Sequence, residues 1–442
     1  MESSSSVRSL TVCLLLAACG QEPDLAATPT DELIRIVAWA QPGEPSDSLG
    51  NRAAHELSSR PPQAVIAELT TALAHHDVGI RRWAAGSVGW QLALARRSHV
   101  EDAARDRVEA TLLELLQDRD EAVRANALYS LAHSRAQGRL ERPPAVVEES
   151  IRSLVVSDVA TSRAPAAFAA MQFGPTVSAL APLLVARAKA EPDSGVRFLL
   201  AAALPRIAAG DAAAADCLLA LLDDPDAEVR SAATAIGEFR NAPPAAVKRL
   251  LRCAVDDAEA SDVRKAAATS AAKIVASPED AEPLLRALLD CRAMFAIEPE
   301  QFRWLDAVGR VSAAASAGDT RQRARAVLEL EAKGAVESAA LVARSGLARA
   351  AFADRDEVLG RSVVAELRNA VPGILAAIPE AEGGWLMVNT WAEPVLESLV
   401  ELSRWPAVGV EGKELRPVFE ALSRDQPHWV RDWAAKQAAR LP

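Results

Sequence analysis

An all-α stack of antiparallel helix pairs is the fold this sequence predicts, on three observations. Alanine supplies 94 of the 442 residues, against one Tyr and eight Phe. Alanine has the best intrinsic helix propensity, whereas strands favour branched and aromatic side chains. A short motif also recurs: an apolar helical stretch, an acidic turn, then Val-Arg followed by small residues. Finally, the apolar positions after each Val-Arg fall at helical spacing, as Val229, Ala232, Ala233 and Ile236 do at i, i+3, i+4 and i+7.

The elements follow in chain order. Leu10 to Leu16 is a short apolar run behind Arg8, of signal-peptide length and too short to span a bilayer. A tether with one short helix, Asp31 to Ala40, is expected over 19–61, where Pro23, Pro29, Pro42 and Pro45 punctuate the chain. Repeats are expected over 62–310. Asp77–Arg81 opens the series, followed by Asp118–Arg124, a looser Pro192–Arg197, Asp224–Arg230 and Ala258–Arg264. Arg197, Arg230 and Arg264 stand 33 and 34 residues apart. In the clearest unit Ala212 to Leu222 reads as the first helix. Asp224 reads as the N-cap of the second, with Pro225 at the first helical position. Ser277-Pro278 opens another helix in the same way. Residues 311–414 keep the helical period without the signature and read as degenerate repeats or an insertion. Asp425–Arg431 closes the series in a capping repeat over 415–442. Neither helix of a pair can bury its apolar face alone, so neighbouring pairs must stack.

These motifs resemble the HEAT repeats, in the short bacterial form of the phycobilisome lyases. The resemblance implies a HEAT-like α-α superhelix. It also implies a ladder in which turn acid and second-helix Arg are joined along the stack. Matched to the motif, Asp118 with Arg124, Asp224 with Arg230, and Asp425 with Arg431 would carry it, and Arg264 would continue the series; Glu191 replaces Asp before Arg197. At the N-terminus Leu16-Ala-Ala-Cys-Gly20 resembles the lipobox of bacterial lipoproteins. That implies removal of 1–18, a lipid on Cys19, and anchoring in the cell envelope, facing the periplasm or in the outer membrane.

Chemistry-bearing patterns are sparse. His75-His76 is the one histidine cluster and reads as an exposed turn, and His55-Glu56 is a lone pair. No phosphate-binding loop, dinucleotide fingerprint, nucleophile elbow or zinc-helix motif occurs. Cys217, Cys253 and Cys291, 36 and 38 apart, read as buried small side chains. Trp385, Trp391, Trp405, Trp429 and Trp433 gather at the C-terminal end. Trp83 and Trp433 both follow a repeat Arg by two residues, a position expected to face the core as an end cap; a ligand site on the Trp cluster is the competing reading. The positions one and four residues after each Arg, such as Arg82, Ala85, Phe198, Ser231 and Lys265, are expected to line the partner face. A net charge of −11 opposes nucleic-acid binding.

The expected function is therefore a non-enzymatic envelope lipoprotein that scaffolds an unidentified protein partner, without catalytic residues, metal or cofactor. An enzyme or chromophore-handling factor like the phycobilisome lyases is the alternative.

Overall fold

A computed structural model describes residues 24–40, 48–94, 102–136, 143–239, 241–295, 300–380, 384–410, 412–423 and 428–441. Among them the regular structure is helical, with no strand. The chain divides into two compact units, 1–187 and 188–442.

In the first unit, α1 (Thr30–Trp39) and α2 (Leu49–Ser59) pack together, and α1 also rests on α4. Within the segment expected as a tether, residues 24–40 and 48–61 are thus packed structure. Leu33, Ile34, Ala53 and Leu57 are buried, and Arg60 closes the segment by donating to the Thr30 hydroxyl at 2.8 Å and the Thr28 carbonyl at 2.5 Å. The repeats then alternate: α3 (Pro62–Leu73) with α4 (Val78–Leu94), α5 (Asp102–Leu115) with α6 (Glu121–Ala136), and α7 (Ala145–Leu154) with α8 (Ala160–Phe173). The second helices, α4, α6 and α8, form the densely packed row.

Among the described residues, 160–190 is the one helical stretch that is long and apolar enough to cross a bilayer by length and composition alone. A kinked 3-10 segment, Gly174–Leu180, divides it into α8 and α9 (Ala181–Ala190), of 14 and 10 residues. Each is shorter than the ~20 residues a helix needs to cross a bilayer.

In the second unit the same alternation continues. The first helices are α11 (Ala212–Leu221), α13 (Pro244–Val255), α15 (Pro278–Asp290), α17 (Asp319–Glu331) and α19 (Glu357–Glu380). The packed row is α10 (Ser194–Ile207), α12 (Ala227–Ala233), α14 (Ser261–Ile274), α16 (Glu300–Ala314), α18 (Glu337–Asp354) and α20 (Gly384–Leu402). Helices α21 (Gly412–Leu422) and α22 (His428–Ala438) pair with each other and touch α20. The signature-free stretch 311–414 therefore keeps the helix pairing. Arg321 there even donates to the Ala315 carbonyl six residues back, at 3.1 Å, as the repeat arginines do.

The alanine excess has a mechanical reason. Helices of the packed row approach closely, and only small side chains fit between them. A Cβ on Gly309 of α16 would lie 2.4 Å from the Gly346 Cα of α18. One on Gly89 would lie 2.6 Å from the Ser130 Cα, where the Ser130 hydroxyl accepts from the Gly89 amide at 3.0 Å. Serines at such contacts satisfy themselves on the neighbouring helix: Ser130 donates to the Ala85 carbonyl at 2.5 Å, and Ser270 donates to the Thr234 carbonyl.

The ladder is present, but its connections differ from the expected pairing. Arg124 and Arg230 reach the residue six positions back through its main-chain carbonyl, at 2.8 Å to Asp118 and 2.7 Å to Asp224. The carboxylates instead hold the arginine of the preceding repeat. Arg81 pairs with Asp118 at 2.9 Å, Arg197 with Asp224 at 2.8 and 3.1 Å, and Arg230 with Glu259 at 2.8 and 2.7 Å. The reason is geometric: the guanidinium fork presents one edge to its own turn and the other to the next turn in the stack. Glu191 does not break the rung at Arg197, because only its carbonyl is used there, at 3.0 Å. Asp425 lies outside the described residues, and with it the closing rung to Arg431.

Asp224 is likewise not the N-cap. Asp226 caps α12, accepting from the Glu228 and Val229 amides, while Asp224 accepts from the Asp226 amide and turns inward to Arg197. Asp120 and Asp193 cap α6 and α10 in the same way. Ser277 caps α15, with Pro278 at the first helical position.

Candidate functional site

Two surfaces stand out, one in each unit. In the first unit Arg163 donates to the Ser157 carbonyl six residues back, at 2.9 Å, as Arg124 does to Asp118, and the side chains five and nine residues after Arg81, Arg124 and Arg163 supply a row across the packed helices. Trp90 of α4 meets His133 of α6 edge-on at 6.4 Å. Tyr129 of α6 meets both His133, at 4.6 Å, and Phe168 of α8, at 5.1 Å. Trp90 is 55% exposed, an unusual position for a large ring in a protein with so few aromatics. Burial lowers the pKa of His133, so the ring is neutral near pH 7, and its Nε2 has no hydrogen-bond partner.

This placement corrects the expected partner face. The positions four residues after each Arg (Ala85, Leu128, Thr234, Ala268) are buried in the helix row. Among the positions one residue after, Arg82 and Phe198 are exposed, Ser231 and Lys265 half-buried, and Ala125 buried. The open face begins at the position two residues after, where Trp83, Asn126, Leu199, Ala232 and Ala266 are all half-buried and not in the core. The buried positions lie four and five residues after the core Val, as Ala233 and Thr234 do after Val229, so the packed face is turned by one step from the one expected.

In the second unit a groove of about 850 Å³ is lined by the 3-10 segment Thr234–Glu238 together with α14, α16, α20 and α22. Its size falls within the usual range of ligand sites, roughly 300–1,000 Å³. Its floor is a network of charges. Asp306 and Arg310, one turn apart on α16, pair at 2.8 Å. Arg310 also holds Glu397 of α20 at 2.6 Å. Arg349 of α18, only 5% exposed, bridges Asp306 and Glu401 at 2.8 Å each and donates to the Pro394 carbonyl at 3.4 Å. From α22, Gln437 and the Trp433 indole donate to Glu397 at 2.9 and 3.3 Å. Glu238 and Lys273 form a further pair at the rim.

Burial by itself would raise the carboxyl pKa values, but Arg310 and Arg349 hold Asp306 below the usual carboxylate range. The same guanidiniums, Arg349 first, hold Glu401 down against its burial. Glu393, on the same side of α20 as Glu397, differs. Burial and then the Glu397 charge push its pKa up to about 8.

The sequence pointed to this region through Trp433 and to none of the network. Trp433 is half-buried against Phe419, its ring edge-on at 5.8 Å, and forms groove wall as well as end cap. Trp405 is buried edge-on to Phe352 at 5.4 Å; Trp391 is half-buried, and the Trp385 and Trp429 side chains lie outside the described set. The missed signal is Glu393, Glu397 and Glu401 at spacing four on an otherwise apolar helix, with Arg349 amid alanines on α18.

Among the described residues no group of three or more metal-ligating side chains occurs. His75 and His76 stack at 4.3 Å in a turn whose carbonyls accept from Arg81, and His55 is exposed while Glu56 pairs with Arg60. Cys217 is fully buried, which raises its thiol pKa. Cys253 and Cys291 are only half-buried, contrary to expectation. Cys291 occupies the ladder position where other repeats carry the acid: Arg264 lies 3.6 Å from its sulfur. Cys19 lies outside the described residues.

No family model matches the chain, and no curated protein matches it. Several solved structures are similar. An engineered protein aligns at 18% identity over 84% of this chain and 98% of its own, with a TM-score of 0.47. YibA of Escherichia coli aligns at 19% over 70% and 98%, with a TM-score of 0.42. Importin beta aligns at 13% over 93% of this chain and 55% of its own, with a TM-score of 0.39.

Proposed function

We propose that this chain is an envelope lipoprotein that scaffolds a protein partner on the open face of its second helices. The observation that carries the reading is the row formed by Trp90, Tyr129, His133 and Phe168. Aromatic rings with one apolar face and a polar edge, held on rigid helices, are the side chains that dominate protein interfaces. The lipobox-like Leu16-Ala-Ala-Cys-Gly20 supplies the address: a thiol at Cys19 for the lipid, with the folded chain following it. A single acyl chain binds membranes only reversibly, so stable anchoring would use the several chains typical of bacterial lipoproteins.

Affinity capture from envelope extracts tests both parts. The chain should retain a discrete protein, and Trp90→Ala should reduce its recovery at least fivefold while the helical circular dichroism is unchanged. Cys19→Ala should move the chain from the membrane to the soluble fraction. Equal capture by Trp90→Ala would remove the aromatic row from the account, and unchanged fractionation would remove the anchor.

A further inference from the structure

We propose that the charged groove of the second unit is a binding site for a basic side chain, an Arg or Lys presented by a polypeptide segment, seated beside Glu393. The inference deepens the scaffold reading and rests on it.

Asp306, Glu397 and Glu401 are each committed to Arg310 or Arg349, and Glu238 to Lys273. Among the described residues Glu393 makes neither a hydrogen bond nor an ion pair, although it lines the groove and is half-buried there. A carboxylate in that setting is unstable without a counter-charge.

The groups facing Glu393 decide the sign of that counter-charge. From its own helix comes Glu397, from the 3-10 segment Glu238, and from α16 Asp306; all three oppose its ionisation. Lys273 of α14 is the one cation among its main neighbours, and it is already engaged by Glu238. Arg303 and Arg310 of α16 and Lys436 and Arg440 of α22 also line the groove; Arg303 pairs with Glu300 at 3.4 Å, Arg310 with Asp306 and Glu397, and Arg440 reaches Glu401 at 3.7 Å. The local field at Glu393 is therefore negative. In the empty groove a proton neutralises it, which is why the carboxyl holds its proton up to about pH 8. A guanidinium or ammonium entering the groove takes over that role. The carboxyl O–H bond breaks, the proton leaves to solvent, and an N–H···O bond to the carboxylate forms. The cavity has room for the side chain and the backbone that carries it.

Binding is then coupled to proton release. Below pH 8 the ligand must expel a proton, so affinity rises with pH until Glu393 is ionised in the free protein. Between pH 6.5 and 9 that coupling amounts to about thirtyfold in Kd.

The experiment uses the full chain and a blocked heptapeptide, Gly-Ser-Ala-Arg-Ala-Ser-Gly, with citrulline or glutamate in place of the arginine as comparisons. Titration calorimetry at pH 6.5 and 9 should show saturable binding of the arginine peptide, tightening about thirtyfold with pH. The citrulline peptide should bind at least tenfold more weakly at pH 9. Glu393→Gln should abolish the pH dependence and weaken the arginine peptide to the citrulline level. Lys436→Ala, a second variant in the same groove, should bind the arginine peptide no more weakly than the parent. Equal binding of arginine and citrulline peptides, preference for the glutamate peptide with loss in Lys436→Ala, or no saturable binding overturns the proposal. A partner captured through Trp90 by a protein that ignores these peptides would overturn it while leaving the scaffold reading intact.

Discussion

Arg197 carries the logic of the repeat in one side chain. It donates to two carbonyls of its own turn, at 3.0 and 2.9 Å, and to both oxygens of Asp224 in the next. Arg197→Ala removes four hydrogen bonds and leaves the Asp224 carboxylate, 6% exposed, without its cation. We expect a loss of about 2–3 kcal/mol in urea unfolding. Arg264→Ala should cost markedly less, because its rung ends on the Cys291 thiol and an exposed Asp257. Equal losses would mean that the ladder carboxylates contribute nothing. The sequence announced both members of the ladder through the repeated acid and Val-Arg. It could not announce which acid meets which arginine, because residues six apart and residues about 30 apart are equally near once helices stack. Glu393 was illegible for a related reason: an isolated carboxylate on a helix reads as a solvated face until the opposing helices close over it.

At the scale of the element, the helix pairs were legible and their contacts only in kind. Helix α11 begins at Ala212 as read, and α1 lies within a residue of its expected bounds. The second helix of the N-terminal segment, Leu49–Ser59, was hidden by the prolines around it and by the polar faces of a short sequence. Close approach is the energetic rule of the packed row, and it gives glycine two opposite roles. Gly309 sits where α16 and α18 touch, so Gly309→Ala must drive the helices apart and should cost about 2 kcal/mol or more. Gly373, exposed on α19 with nothing within 4 Å of a Cβ, is a helix-interior glycine without a packing task. Gly373→Ala should stabilise by about 0.5–1 kcal/mol through helix propensity. Thermal unfolding of the two variants should move in opposite directions; a shift of the same sign in both would contradict the close-packing explanation of the alanine excess.

For the molecule as a whole, the all-α repeat fold was readable from composition, motif and period together, since each repeat restates the same pattern. For function the sequence offered only an expected address and an expected class of surface. Repeats hide their sites, because a binding face is built from one or two residues per helix pair, spread over a hundred positions. The aromatic row and the charged groove became visible only when the helices were placed side by side. Two of the chain's seven lysines, Lys273 and Lys436, line that groove. Amine crosslinking in intact cells, read by mass spectrometry, therefore tests the central claim most directly. The account predicts crosslinks joining Lys273 or Lys436 to one other envelope protein, lost when Glu393→Gln is combined with Trp90→Ala. Crosslinks confined to the chain itself, from cells in which it is abundant and membrane-bound, would contradict it.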